Sequence, residues 1–287
     1  MDANTLETLA PAKINWFLNI ENQSKTGYHQ LKTFMQKINL FDVIRCGVLK
    51  ENRIEFKDIN DKCACLPNEN IVVQAAKKLK DFFGITAGIK IEIEKNIPVC
   101  AGLGGGSSDA AAVLNALVKL WEITISDKEL KKIALSLGAD VPFFLKGSAA
   151  FCEGIGELIK PVTANKFNIV LWNPKISLST AQVYKQFDRK IREQRGAEKF
   201  LVAYSSCDLY KTAGEIWNNL AFAAEEILPE LKKMKTECER SGAITSWVSG
   251  SGPTVISLCF NRFAARELCE KLRRRHPEHF INEYQTI

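Results

Sequence analysis

Three stretches of this 287-residue chain hold groups that could do chemistry. The first is PVCAGLGGGSSDAAAV, Pro98 to Val113, in which four glycines and two serines fall within the seven positions Gly102 to Ser108. A bare backbone that runs straight into an alanine-rich helical stretch points unpaired N–H groups, and the positive end of a helix, at whatever the loop holds. Glycine lets that backbone approach phosphate oxygens that a side chain would keep away. A tight turn alone needs one or two glycines, so an anion site is the reading that uses them all. The second stretch is PAKINWFL, Pro11 to Leu18, with Lys13 inside an apolar strand. Such a lysine either snorkels from a sheet edge to water or brings positive charge to a carboxylate and a developing phosphoryl charge. The third is GADVPFFLKG, Gly138 to Gly147. Asp140, beside Val141, Phe143 and Phe144, is costly unless it caps backbone N–H groups or meets a cation, and Lys13 is a natural partner if the fold brings the two together.

Phosphate loops differ in their letters. The pattern G-x-x-x-x-G-K-[ST] needs a lysine that this loop lacks, and the dinucleotide fingerprint needs a sixth-place glycine where Ser107 stands. Glu122 falls about twenty residues on, where that fingerprint has an acid, but it follows the helix directly and does not end a second strand. The loop also follows several strands, whereas the dinucleotide unit usually occupies the first βα turn of its domain. Protein-kinase signatures of the H-R-D and D-F-G kind are absent.

The surrounding pattern must place these groups. Lys13 to Ile20, Phe41 to Leu49, Arg53 to Ile59 and Ile89 to Ile97 are β-branched or alternating and predict strands. Asn70 to Gly84 predicts a helix stopped by its glycine, and Ser107 to Glu122 a helix apolar nearly all round, hence buried. A capping box, Ser126 to Glu129, opens a further helix that closes at Gly138. Pro142 is expected to break that helix ahead of an apolar strand. Asp109, in the first turn after the serines, is expected to cap. SAAFCEG, GELIKPV and FNIVLWNP predict strands, and Val162 to Lys166 the domain boundary. Beyond it come helices over STAQVYKQF and over GEIWNNLAFAAEEILPELKKMKTECERSG, a strand–glycine turn–strand over ITSWVSGSGPTVISLCF, a last helix and a short strand. Asp188 to Asp208 shows little apolar pattern and reads as a loop.

Bulk properties exclude several classes. Hydrophobic residues at 46% and charged residues at 25% are ordinary for a globular chain, and its length suits two domains. No segment nears the ~18 consecutive apolar residues of a membrane span, and the N-terminus lacks the features of signal and transit peptides, which points to the cytoplasm. The nine cysteines are odd in number, with no export signal, so reduced thiols are expected; Cys63 and Cys65 have no second pair to complete a zinc site, and no metal-ligating set is assigned. The formal net charge of +6 suits anionic small molecules without demanding nucleic acid, and the basic run Lys271 to Phe280 reads as a solvated helix end.

The glycine loop resembles that of the GHMP kinases, which phosphorylate small-molecule alcohols with ATP. GLGGGSS with GADVPFF is the most specific part; VSGSGPTVISL, Val248 to Leu258, is similar to the family's third motif, and the resemblance spans nearly the whole chain. It implies an α+β fold of two domains: an N-terminal ribosomal-protein-S5-domain-2-like mixed α/β domain (1–161) for ATP phosphates and catalysis, and a C-terminal ferredoxin-like domain (162–287). It implies ATP as donor, Mg2+ bound with it, and phosphates held by Pro98, Val99, Cys100, Ala101, Gly102, Leu103, Gly104, Gly105, Gly106, Ser107 and Ser108. Asp140 would be the general base and Lys13 the residue that keeps it ionised. TGYHQL and SLSTAQVY are similar to the branch of the family whose acceptor is a cytidine diphosphate derivative of methylerythritol, an isoprenoid precursor. There Tyr28 and Tyr184 would sandwich the cytosine, His29 would read its edge, and Asn15, Thr180, Gly250 and Gly252 would complete the acceptor site. Thr26 departs from the aspartate common in that branch, which puts a loop hydrogen bond in doubt. The resemblance implies no nucleic-acid or membrane partner and a monomer or weak homodimer. Other GHMP kinases, for homoserine or mevalonate, and a catalytically silent sensor are the alternatives, and the Tyr28, His29 and Tyr184 set argues against the first two.

Overall fold

A computed structural model describes residues 4–23, 29–63, 66, 69–190 and 192–287. In chain order its elements are β1 (Thr5–Gln23), β2 (His29–Leu49), β3 (Ile54–Asp58), α1 (Ile71–Phe83), β4 (Gly88–Glu94), α2 (Gly105–Leu120), α3 (Asp127–Leu135), α4 (Val141–Leu145), β5 (Ala149–Glu153), β6 (Leu158–Val162) and β7 (Asn168–Asn173). There follow α5 (Thr180–Phe187), α6 (Glu198–Ser205), α7 (Leu209–Gly214), β8 (Trp217–Asn218), α8 (Leu220–Ile227), α9 (Glu230–Arg240), β9 (Thr245–Val248), β10 (Val255–Cys259), α10 (Arg262–Arg275) and β11 (Phe280–Gln285). The chain forms two compact units, one of Met1–Ala12, Leu40–Val99 and Gly104–Gly147, the other of Lys13–Asn39, Cys100–Leu103 and Ser148–Ile287. The chain passes between them at 12/13, 39/40, 99/100, 103/104 and 147/148.

In the first unit the second half of β2 pairs antiparallel with β4, Val43 opposite Glu94 through Leu49 opposite Gly88, and β3 joins β4 in parallel. The alternation in IKIEIE places Ile89, Ile91 and Ile93 on the buried face. α1 packs on these strands and on α2. It opens at Asn70, whose side chain accepts from Val72 N–H, and stops at Gly84 in the left-handed region. α2 is buried along Ala110 to Leu114, Ala116 and Leu117, as its all-round apolar pattern requires. The Ser126–Glu129 capping box forms at the head of α3.

In the second unit β1 runs beside β8, the first half of β2 pairs with β5 and β5 with β6. A separate antiparallel sheet has the order β11-β7-β10-β9. Numbered within that sheet the order is 4-1-3-2, with helices α9 and α10 against it, which is the ferredoxin-like arrangement. Trp172, Val183, Leu220, Leu231, Val255, Leu268 and Leu272 lie in its core.

Four local expectations are corrected. VPFFL forms the helix α4 and not a strand, because Pro142 sits in the first turn, where its missing N–H costs nothing and its fixed φ starts a helix. The stretch 188–208 contains α6, whose apolar face is only Phe200, Ala203 and Tyr204 and whose start has no side-chain cap. β2 begins at His29, far ahead of Phe41: Thr33 to Ile38 are buried on both faces, which erases the alternation that marks a strand. Trp217 and Asn218 form a strand within a stretch that reads as helix.

Candidate active site

In the second unit β1 presents Lys13 and Asn15 on the same face, as residues two apart on a strand must be. Lys13 Nζ donates to Asn15 Oδ1 at 2.7 Å, Asn15 Nδ2 donates to Thr33 Oγ1 at 2.8 Å, and Thr33 Oγ1 donates to the Phe17 carbonyl at 2.8 Å. All three side chains are buried. The Trp247 indole N–H donates to the Asn15 carbonyl at 2.8 Å, and the Lys13 amide to the Leu103 carbonyl at 2.9 Å, which seats the middle of the glycine loop against β1.

The turn after β9 closes over the same place. A β-carbon on Gly250 would lie 3.3 Å from Asn15 Oδ1 and 3.8 Å from Lys13 Nζ. The Asn218 amide holds that turn by donating to the carbonyls of Val248 and Gly250, both at 2.8 Å, and Ser249 Oγ donates to the Gly102 carbonyl at 2.9 Å. Gly252 closes the turn through its N–H on the Ser249 carbonyl. Next to it, the hydroxyls of Thr180 and Ser251 are 3.0 Å apart. On α5 the Tyr184 ring stands 4.9 Å from the His29 ring, and His29 Nε2 lies 2.6 Å from Asp188 Oδ1. Lys13, Asn15, Gly102, Gly250 and Gly252 thus come together, and so do His29 and Tyr184. Tyr28 and Thr26 lie outside the described residues.

In the first unit Pro98 and Val99 lead into the loop, and Gly104, at φ +69°, starts α2 without any side-chain cap. The leading N–H groups of Gly105, Gly106 and Ser107 thus have no side-chain cap, and N–H groups at a helix start are of the kind that an anion accepts from. Ser108 Oγ is buried with no hydrogen-bond partner among the described residues. Beneath the loop Lys95 Nζ donates to Asp109 Oδ2 at 2.6 Å and to Asp42 Oδ2, while Asp42 Oδ1 accepts from the Asn96 and Ile97 amides at 2.5 and 2.8 Å. Asp109 therefore anchors α2 to Lys95 in place of the expected cap, because its side chain points down from the helix into a buried cation. Burial, joined by the charge of Asp42, pushes Asp109 up to about 8 against the pull of Lys95. Burial works against the Lys95 charge, yet the two carboxylates hold its pKa above the ordinary lysine value. Two carboxylates sharing one ammonium leave a negative charge uncompensated, and a proton on Asp109 removes it.

Asp140 is half-buried at the head of α4, and its side chain makes no capping bond to that helix. α4 packs on α2, and Gly138 lies close enough that a β-carbon there would be 4.0 Å from Ser107 Oγ. This brings the GADVPFF segment beside the loop serines. Thr33, Asp42, Lys95 and Asn218 were not legible as site residues, since each acts on a partner distant in sequence and none belongs to a motif; Ser249 lies within VSGSGPTVISL, but its bond to the Gly102 carbonyl spans 147 positions.

Among the described residues His276, Glu278 and His279 are also close enough to share a metal ion. His279 Nδ1 accepts from the Trp172 indole at 2.8 Å, however, so the ring proton sits on Nε2, toward Glu278. A metal would need that nitrogen's lone pair.

Residues 70–148 match the GHMP kinases N terminal domain, and residues 208–278 match GHMP kinases C terminal. The chain is similar to the 4-diphosphocytidyl-2-C-methyl-D-erythritol kinase of Alkaliphilus metalliredigens, 37% identical over 279 residues that cover 95% of this chain and 94% of the relative. A crystal structure of 4-(cytidine 5'-diphospho)-2C-methyl-D-erythritol kinase aligns with a TM-score of 0.82 at 31% identity, over 97% of this chain and 99% of that one. A homoserine kinase from Cytophaga hutchinsonii shares the fold, with a TM-score of 0.72 over 100% of this chain and 96% of its own, but at 19% identity.

Proposed function

The chain belongs to the 4-diphosphocytidyl-2-C-methyl-D-erythritol kinases of the GHMP kinase superfamily, and from that premise we propose its reaction. It transfers the γ-phosphoryl group of ATP to the 2-hydroxyl of 4-(cytidine 5'-diphospho)-2-C-methyl-D-erythritol, giving the 2-phosphate and ADP in non-mevalonate isoprenoid precursor biosynthesis. The observation that carries the acceptor's identity is the His29–Tyr184 ring pair at 4.9 Å. A planar base uses such a pair, and a small amino alcohol or hydroxy acid does not.

In phosphoryl transfer the protein chiefly positions the reactants and stabilises charge. The uncapped start of α2 and the loop from Pro98 to Ser108 hold the ATP phosphates. Asp140 takes the proton of the 2-hydroxyl as its oxygen forms a bond to the γ-phosphorus, and the bond to the β-bridging oxygen breaks, so that ADP leaves with the electron pair. Lys13 supplies positive charge for the developing phosphoryl charge. Asn15, oriented by Lys13 and Thr33, faces the erythritol; Tyr184, with Tyr28, clamps the cytosine; and Thr180, Gly250 and Gly252 close the acceptor site. The orphaned hydroxyl of Ser108 fits a magnesium ion bound with ATP, as does that of Ser107, and the ion would neutralise phosphate charge.

We assign ATP-phosphate binding and catalysis to residues 1–161 and the closing domain to 162–287, in a cytoplasmic monomer or weak homodimer without nucleic-acid or membrane partners. Among the described residues no helix is long and apolar enough to cross a membrane. The test is Asp140→Asn, which abolishes turnover and leaves binding of a cytidine diphosphate ligand nearly intact. Near-wild-type phosphorylation by that variant removes Asp140 as the base.

A further inference from the structure

We propose that Asp188 is a positioning residue that fixes the tautomer of His29 and so makes the base subsite select cytosine over uracil. This rests on the cytidine diphosphate reading of the acceptor. Asp188 is the C-cap of α5, a place where the helix presents unpaired carbonyls and the negative end of its dipole. A carboxylate there is disfavoured unless a cation or donor meets it. The neighbouring cations are engaged elsewhere: Arg189 Nη1 donates to Gln186 at 2.9 Å, and Lys190 Nζ to Glu226 at 2.9 Å. Among the described residues, what meets Asp188 is His29, Nε2 to Oδ1 at 2.6 Å.

The contact is part of a built seat. Tyr184, Phe187 and Asp188 stand at i, i+3 and i+4 on one face of α5, and all three address the same imidazole. Tyr184 lies 4.9 Å from it, Phe187 stands edge-on at 6.3 Å, and the imidazole side chain is only 11% exposed. The ring is thus held in place and in rotation.

A carboxylate carries no hydrogen, so His29 Nε2 must carry the one in the bond. In the neutral imidazole Nδ1 then holds the lone pair and acts as an acceptor. The exocyclic amino group of cytosine is a donor and matches it, whereas uracil has a carbonyl oxygen at the same place, acceptor against acceptor. Without Asp188 the imidazole is free to place its proton on Nδ1, and the distinction is lost.

The chain has three histidines, so the His29 ring nitrogens can be assigned by comparison with His29→Gln. In long-range proton–nitrogen correlation spectra of the ligand-free protein, the Nε2–H form dominates in wild type and in Asp188→Asn, whose amide oxygen still accepts, and gives way to a mixture in Asp188→Ala. In steady-state assays Asp188→Ala raises KM for the cytidine acceptor about tenfold, the loss expected for one hydrogen bond. It lowers the preference over the uridine counterpart by a similar factor, while KM for ATP is unchanged. Asp188→Asn restores both. An unchanged tautomer or an unchanged preference in Asp188→Ala overturns the proposal. A wild-type protein that phosphorylates neither acceptor instead overturns the proposed function, and with it the base selectivity.

Discussion

Gly102 and Ser249 meet backbone to backbone: a β-carbon on Gly102 would stand 2.2 Å from the Ser249 carbonyl oxygen, and Gly102 already sits at φ +74°. Gly102→Ala therefore combines a left-handed backbone with a clash that only backbone movement can relieve. The expected loss is about 3 kcal/mol or more in urea unfolding, with a fall in activity because the loop must move. Gly84→Ala is the control, since φ is +63° there but nothing lies within 4 Å, and it should cost only about 1 kcal/mol.

Ser108→Ala separates function from stability. Its hydroxyl is buried without a partner among the described residues, so removing it leaves thermal stability unchanged or slightly raised. If that hydroxyl serves ATP or its ion, kcat/KM for ATP falls by roughly tenfold or more, the worth of a hydrogen bond to a charged group. A loss of stability with normal ATP kinetics would assign Ser108 to the core.

Lys95 bridges two buried carboxyl groups, Asp42 and Asp109, and Lys95→Met leaves both without it. A loss of about 3–5 kcal/mol is expected in equilibrium unfolding.

The same cluster gives a pH dependence. Asp109 titrates near 8 when folded, well above the value near 4 of an unfolded aspartate. The folded chain binds the extra proton in that window, so the contribution is complete below about pH 4 and is lost as pH rises through about 8. Unfolding free energy should fall over this range in the wild type and fall less in Asp109→Asn. An equal slope in both proteins assigns the pH dependence to other groups.

What could be read from the chain was local. Period two placed Lys13 and Asn15 on one face, and they bond to each other. The glycines before Ser107 marked an uncapped helix start, and the Ser126–Glu129 box marked the head of α3. What could not be read lay between distant residues. Lys95 meets Asp42 across 53 positions, and Asn15 meets Thr33 across 18, with no motif linking either pair. Thr33 itself lies in a strand buried on both faces, where polar and apolar residues no longer alternate. Pro142 misled because the same ring that breaks a helix interior is well suited to a first turn. Asp188 lay in a stretch too weakly patterned to place, and its meaning comes only from the imidazole it holds.

The most direct measurement is ADP release from ATP by the purified protein with one acceptor at a time: 4-(cytidine 5'-diphospho)-2-C-methyl-D-erythritol, mevalonate or homoserine. ADP release with the cytidine acceptor alone, with the phosphate found on its 2-hydroxyl, is the predicted result. Turnover of mevalonate or homoserine in its place, or ATP binding with no turnover of any of the three, would contradict it.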